Sequence, residues 1–164
     1  MIMNFLGYYS VWWSVALFEN SNKAYLVILV FSINLIFHLL KNRKKIKSEL
    51  ILMTIISVVG ILFDLLMQKI GVFELKGHFL IWLPFIWITF STTICHSMTK
   101  IFGLNNYILF LLGLIFGPLS YFSASKFDLL IYTNSFLYLL LHGFFWGGLM
   151  ISIKLIKGQS REVF

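Results

Sequence analysis

Six apolar stretches separated by short polar turns set the hydrophobic pattern of the chain. Each stretch predicts one helix, over about residues 2–18, 24–40, 50–67, 79–98, 107–125 and 129–153. A helix needs about 20 mainly apolar residues to cross the hydrocarbon core of a bilayer, and these stretches come close to that length. The pattern therefore predicts an all-α fold, a polytopic transmembrane bundle of about six helices built as one domain over residues 1–164.

The fourth stretch, HFLIWLPFIWITFSTTICHSM (78–98), is interrupted by polar side chains, and we expect the rest of the bundle to form around it. At helical spacing one stripe combines aromatic and hydrogen-bonding groups: Trp82, Phe85, Thr89, Thr92 and His96. A helix surrounded by lipid has no use for hydrogen-bonding groups. The stripe is therefore expected to face other helices or an internal cavity, with Trp87 as a second large ring five residues after Trp82.

A polar face also runs along the third stretch. Spacings of three and four residues place on it Glu49, Met53, Ser57, Gly60, Asp64 and Gln68. Gly60 would let a partner helix approach closely, so we expect the third and fourth helices to pack through these faces. Asp64 is a functional candidate because an ionisable group inside a membrane is costly. The alternative is a structural carboxyl that accepts hydrogen bonds from Tyr121, Asn134 or a tryptophan indole such as that of Trp82.

Three further patterns concern the remaining helices. GxxxG spacings, one in the fifth stretch (113–117) and one in the sixth (143–147), are typical of close contacts between membrane helices. Pro118 removes a backbone hydrogen bond and predicts a bend. The first stretch is rich in rings, namely Phe5, Tyr8, Tyr9, Trp12 and Trp13. We interpret these rings as an aromatic belt at the membrane surface rather than as an aromatic binding wall.

The composition supports a membrane protein, and the distribution of charge predicts its orientation across the membrane. Hydrophobic residues make up 60% of the sequence and charged residues 12%, which is too little charge to cover a soluble domain. Five of the basic residues lie in the loop at 41–47, which predicts a cytoplasmic loop and not a nucleic-acid site. With both termini cytoplasmic, nine of the thirteen basic residues lie inside. The expected partners are membrane lipids and other membrane proteins, without nucleic acid.

Several of these motifs, taken in their order along the chain, resemble a known family. They are Trp12–Trp13, Glu49, GILFD (60–64), Gly71, WLPFIWITFSTTICHSM (82–98) and GPLSY (117–121). In this order they resemble a small bacterial integral membrane family called domain of unknown function 2878. The resemblance implies a multi-pass protein of the bacterial inner membrane, often found beside lipid-modifying genes, and it implies no reaction.

The chemistry that the sequence offers is limited to a few polar side chains. Two histidines and a carboxylate, His38, Glu49 and His96, form a known zinc or iron ligand set. They come from three stretches without HxxxH or ExxH spacing, so we expect no metal and no other cofactor. We expect instead a polar cluster in which Glu49 pairs with His96 or with loop lysines. The chain has no GxSxG, phosphate-binding loop or dinucleotide fingerprint.

The candidate polar site consists of Glu49, Asp64, His96, Trp82, Trp87, Tyr121 and Asn134, and no catalytic residue is assigned. The first hypothesis is binding or transport of a lipid or small amphiphile, or assistance to lipid-modifying partners. One alternative is an intramembrane lipid-modifying enzyme that uses Asp64, or Glu49 with His96, as acid and base. Another is a substrate-binding subunit of a vitamin-type transporter, which the six spans resemble in number. A cavity that reaches Asp64 and an aromatic wall would favour binding, whereas an open cleft exposing Glu49 and His96 would favour catalysis.

Overall fold

The computed structural model describes residues 2–19, 21–41 and 46–163, so most of the basic loop lies outside the described residues. The helices are α1 (Ile2–Phe18), α2 (Tyr25–Lys41), α3 (Ile46–Lys69), α4 (Phe79–His96), α5 (Asn106–Lys126) and α6 (Ser135–Val163). A single turn of 3-10 helix, Ile101–Gly103, lies between α4 and α5. Helix accounts for 81% of the chain, which confirms the predicted all-α bundle of six helices.

Three of these helices are long and apolar enough to cross a membrane: α3, α5 and the part of α6 from Ser135 to Gly158. Two shorter apolar helices are α2 and the segment Leu80–Ile94 of α4. In the three long helices only 33–39% of the most apolar window is buried within the protein. Most of their apolar surface therefore faces outward, as in a protein covered by lipid.

Two short strands that the sequence did not predict close one end of the bundle. Strand β1 (Phe73–Leu75) pairs antiparallel with β2 (Leu130–Tyr132), with Phe73 opposite Tyr132. We predicted the sixth helix from Leu129, but α6 begins only at Ser135 because the preceding backbone is paired in this sheet. The carboxamide Oδ1 of Asn134 accepts a hydrogen bond from the Leu137 N–H at 2.9 Å and so caps the start of α6.

The bundle has two chemically different ends. The basic end carries the start of α1, the end of α2, the start of α3 and the end of α6; there Lys157 Nζ donates to the Ile94 carbonyl at 2.7 Å. The strand end carries β1 and β2; there Lys76 pairs with Asp128 at 3.0 Å. Also at the strand end, Glu19 accepts a hydrogen bond from the His78 backbone N–H, which ties the end of α1 to the start of α4.

The two GxxxG segments meet at one interface between α5 and α6. A Cβ on Gly113 would lie 2.6 Å from the carbonyl carbon of Trp146 and 2.7 Å from the backbone nitrogen of Gly147. A Cβ on Gly147 would in turn lie 2.6 Å from the Phe110 ring. The absence of side chains at these positions is therefore what lets the two backbones approach.

We expect Gly113→Ala to lower the free energy of unfolding by about 1–3 kcal/mol, because its methyl group meets backbone that cannot move aside. Gly148→Ala is the matched control, since a Cβ at Gly148 has nothing within 4 Å. Alanine at that position should be neutral or slightly stabilising, as it favours helix over glycine. Thermal unfolding in detergent, followed by circular dichroism, distinguishes the two variants. Equal melting temperatures would contradict the close packing.

Candidate functional site

Asp64 is fully buried where α3, α4 and α5 meet. Its exposed fraction is 0%, and each carboxylate oxygen accepts one hydrogen bond from a neighbouring helix. The Trp87 Nε1–H donates to Oδ2 at 2.6 Å, and the Tyr121 hydroxyl donates to Oδ1 at 2.6 Å. Gly60, one turn earlier on α3, lies against the Trp87 ring and gives the indole room to reach the carboxylate. Of the predicted site residues, Asp64, Trp87 and Tyr121 thus form one group.

Further rings extend this group to α6. Trp87 stacks on Trp146 with centroids 5.1 Å apart, and Tyr121 meets the His142 ring edge-on at 4.7 Å. Among the described residues, no lysine or arginine forms an ion pair with Asp64. Burial of a carboxyl group is costly unless hydrogen bonds compensate it, and here two neutral donors do so. Asp64 therefore connects helices, and no substrate can reach it without moving Trp87 or Tyr121.

Two predicted members of the site lie elsewhere. Asn134 is exposed and caps α6, as described above, rather than donating to Asp64. The Trp82 ring packs 5.5 Å from Phe85, and its Nε1–H has no acceptor among the described residues. The predicted donor Tyr121 does bond to Asp64, but Trp87 donates in place of Trp82. Spacing alone does not give the rotation of α4 against α3, so it does not say which tryptophan reaches the carboxylate.

The polar stripe of α4 faces α1 and α2. Phe85 stacks on Phe31 of α2 at 4.3 Å, and the Thr92 carbonyl accepts from the Asn4 amide of α1 at 3.2 Å. The hydroxyls of this helix segment donate to carbonyls of their own helix, at 2.6–2.7 Å for Thr89, Ser91, Thr92 and Thr93. The stripe is buried against other helices as expected, but its hydroxyls are already satisfied and supply little for a ligand.

Glu49 and His96, the other predicted pair, come together with His38 at the basic end. Glu49 Oε2 lies 3.3 Å from His38 Nε2, and Oε1 lies 3.1 Å from His96 Nε2. Asn4 of α1 places its amide nitrogen 3.3 Å from His38 Nδ1, on the far side of that ring. Three helices thus build this histidine cluster, defined here as His38, Glu49 and His96, and α1 contributes the neighbouring Asn4. Asn4 was not predicted, because nothing in the sequence near it signals a role.

A cavity of about 580 Å³ runs between α1 and α5, and we call it the aromatic groove. Its residues come mainly from these two helices and include Phe5, Tyr8, Tyr9, Trp12, Trp13, Phe116, Ser120 and Ser123, with Phe90, Thr93 and Trp146 at its floor. Tyr9, Trp13 and Phe116 are also exposed on the outer surface, so the groove reaches that surface. The rings of α1 therefore line one side of this cavity.

A smaller cavity of about 40 Å³ adjoins the groove, and the two donors to Asp64 are among its lining residues. Both cavities are lined by Tyr8, Trp12 and Trp146, and the smaller one also by Trp87 and Tyr121. The two donors to Asp64 thus face the cavity system on one side and the carboxylate on the other. Asp64 itself lines neither cavity.

Comparison with known proteins gives a family without an assigned activity. No curated protein and no solved structure matches the chain. A family described as "Protein of unknown function (DUF2878)" matches residues 1–152, which include the buried carboxyl group, the aromatic groove and the histidine cluster. This match confirms the resemblance noted from the motifs. The chain therefore belongs to the family of proteins of unknown function DUF2878.

Proposed function

We propose that this protein is a multi-pass protein of the bacterial inner membrane that binds one lipid chain or a small amphiphile in the aromatic groove. The observation that carries the proposal is a cavity of about 580 Å³, walled by rings and reaching the outer surface between α1 and α5. Ligand sites of proteins typically have about 300–1,000 Å³. A ligand already dissolved in the membrane reaches such a groove sideways, without leaving the hydrocarbon.

The kind of ligand follows from where the groove lies. Apolar burial alone gives little preference inside a bilayer, because lipid tails are as apolar as the protein wall. Aromatic faces and hydrogen-bonding groups must therefore provide the selectivity. The buried Nε1–H of Trp146, which lines the groove, has no acceptor among the described residues. These features favour an amphiphile that combines an apolar chain or ring with an acceptor oxygen, such as an ester, a carboxyl or a hydroxyl.

Asp64 supports binding more than catalysis. Acid–base catalysis requires the carboxyl group to reach the reacting atoms, whereas Asp64 is fully buried behind Trp87 and Tyr121. Its two hydrogen bonds hold these rings at the cavity wall, so we assign it a positioning role. A protein of this kind would hold a lipid for lipid-modifying partners in the same membrane.

A matched pair of substitutions tests the groove. Ser123 and Ser152 are both exposed helix serines whose hydroxyls donate to the carbonyl four residues earlier, at 3.0 and 2.9 Å. Only Ser123 lines the groove. We expect Ser123→Phe to weaken binding of a brominated fatty acid about tenfold, which corresponds to about 1.4 kcal/mol, and Ser152→Phe to leave it unchanged.

Tryptophan fluorescence in detergent provides the measurement. Four of the five tryptophans, Trp12, Trp13, Trp87 and Trp146, line the groove or the adjoining cavity, so bound bromine should quench most of the emission. Mass spectrometry of lipid that co-purifies with wild type and with both variants identifies the natural ligand. If quenching in wild type does not saturate with increasing fatty acid, or if both variants are quenched equally, the groove is not the binding site.

The orientation has its own test, based on the basic end being cytoplasmic. In a Cys95→Ala background, we expect a membrane-impermeant thiol reagent to label Lys126→Cys, at the end of α5, in intact cells. Lys41→Cys, at the end of α2, should be labelled only after the cells are opened. Labelling of Lys41→Cys but not of Lys126→Cys in intact cells would show that the protein has the opposite orientation.

A further inference from the structure

We propose that the histidine cluster is a binding site for one divalent transition-metal ion of the zinc class. The inference is independent of the aromatic groove, which lies between α1 and α5. It rests on three donors that converge from α2, α3 and α4: Nε2 of His38, a carboxylate oxygen of Glu49 and Nε2 of His96. Two imidazoles and one carboxylate are the protein ligands of a common type of zinc site.

The distances between donors suit an ion of this size. The three donor atoms, one from each residue, lie within 4.8 Å of one another. One oxygen of Glu49 lies 3.1 Å from His96 Nε2, and its other oxygen lies 3.3 Å from His38 Nε2. Zinc binds nitrogen and oxygen at about 2.0–2.1 Å, so tetrahedral ligands stand roughly 3.4 Å apart. Donor separations of up to 4.8 Å have to close towards this value, and rotation of the partly exposed His96 ring can supply part of that movement.

The contact between His96 and Glu49 is short but is not a good hydrogen bond. His96 Nε2 is buried, and its N–H direction does not meet the geometry of a hydrogen bond to any acceptor among the described residues. A buried ring nitrogen without a well-directed partner is costly. A cation between the three donors would use this nitrogen together with the carboxylate charge.

The surroundings of His38 support the same site. Asn4 faces Nδ1, which leaves Nε2 directed towards Glu49. The second ring nitrogen of a metal-bound histidine usually donates a hydrogen bond. Metal binding at Nε2 therefore requires the carboxamide of Asn4 to turn its oxygen towards Nδ1, which gives up its hydrogen bond to the Thr92 carbonyl. Burial also restricts movement of the His38 ring, since only 3% of its side chain is exposed.

Three protein ligands leave one position of a tetrahedral site open. His96 Nε2 is buried, but 31% of the His96 side chain is exposed, so movement of this ring can open that position to the outside. One carboxylate leaves a site that holds a divalent ion with net positive charge. The open position therefore suits an anionic oxygen ligand, such as the carboxylate or phosphate of an amphiphile head group.

The test uses the full-length protein in detergent, stripped with a chelator and then dialysed against Zn²⁺. We expect wild type to keep about one zinc ion per chain after free metal is removed, as measured by mass spectrometry of the metal. Glu49→Gln and His96→Gln should each weaken zinc binding more than about tenfold. His78→Gln is the matched control, because His78 is an exposed histidine at the strand end and should keep wild-type zinc.

A second measurement does not depend on the variants. Zn²⁺ in excess should raise the melting temperature of wild type, because an ion that binds only the folded state stabilises it. Less than about a tenth of a zinc ion per chain in wild type, with no shift in melting temperature, would overturn the proposal. Equal zinc in wild type, Glu49→Gln and His96→Gln would overturn it as well, since the metal would then sit elsewhere.

Discussion

Replacing Gly60 by leucine is expected to cost about 3 kcal/mol or more of the free energy of unfolding. A side chain at this position would occupy the space of the Trp87 ring. That ring has nowhere to go, because its Nε1–H is bonded to Asp64 and its face stacks on Trp146. Overpacking a rigid contact costs about 1–3 kcal/mol, and loss of a buried hydrogen bond adds to it.

Val59→Leu is the control for this prediction, since Val59 is on the same helix but 41% exposed. The free energy of unfolding of Val59→Leu should lie within about 0.5 kcal/mol of that of wild type. Thermal unfolding of both variants in the same detergent measures the difference. A Gly60→Leu protein as stable as Val59→Leu would show that α3 and α4 do not pack as described.

The second large effect concerns Asp64. Asp64→Leu removes both acceptors and leaves the Trp87 N–H and the Tyr121 hydroxyl buried without partners, each at a cost of about 1–3 kcal/mol. We expect a total loss of about 3–5 kcal/mol, because the leucine also has a different shape.

Asp64→Asn should behave differently, because the two partners are chemically different. The Trp87 indole can only donate, and the asparagine Oδ1 can accept from it. The Tyr121 hydroxyl can also accept, so the asparagine amide can donate to it and reverse the direction of that bond. The reversed bond leaves the Tyr121 O–H without this acceptor, so the loss of stability should be about 1–2 kcal/mol, clearly smaller than for leucine.

Melting in detergent and quenching by the brominated fatty acid, measured on both variants, separate structure from function. If Asp64 only positions the rings, the asparagine variant binds like wild type and loses clearly less stability than the leucine variant. An asparagine variant that melts like wild type but no longer binds would mean that the charge itself takes part in binding. An asparagine variant as unstable as the leucine variant would contradict the hydrogen-bond exchange.

The helices of this protein are largely encoded by local sequence. Apolar runs of near-membrane length, bounded by short polar turns, are enough to predict the six helices, and α1 has the predicted bounds 2–18. The face of α3 that carries Gly60 and Asp64 also follows from helical spacing alone, because residues three and four apart share a side. The small residues of α5 and α6 likewise marked an interface before any partner was known.

The strands and the sites depend on contacts between distant parts of the chain. From the sequence, residues 130–132 are predicted to lie at the start of an apolar helix. In the structure they form a strand instead, because they pair with residues 73–75, more than fifty residues away. His38, Glu49 and His96 come from three helices and have no spacing motif. The aromatic groove exists because α1 and α5 stand apart at this position, which side-chain periodicity does not encode.

The sequence by itself therefore determined which segments are helical, which faces are apolar and which side chains are costly to bury. Those properties depend on each residue and its neighbours within a turn or two. Tertiary structure alone decided that Trp87 and not Trp82 reaches Asp64, that the rings of α1 line a groove, and that Glu49 stands between two histidines. Rotation and spacing of packed helices set these contacts, and both follow from the fit of all their surfaces together.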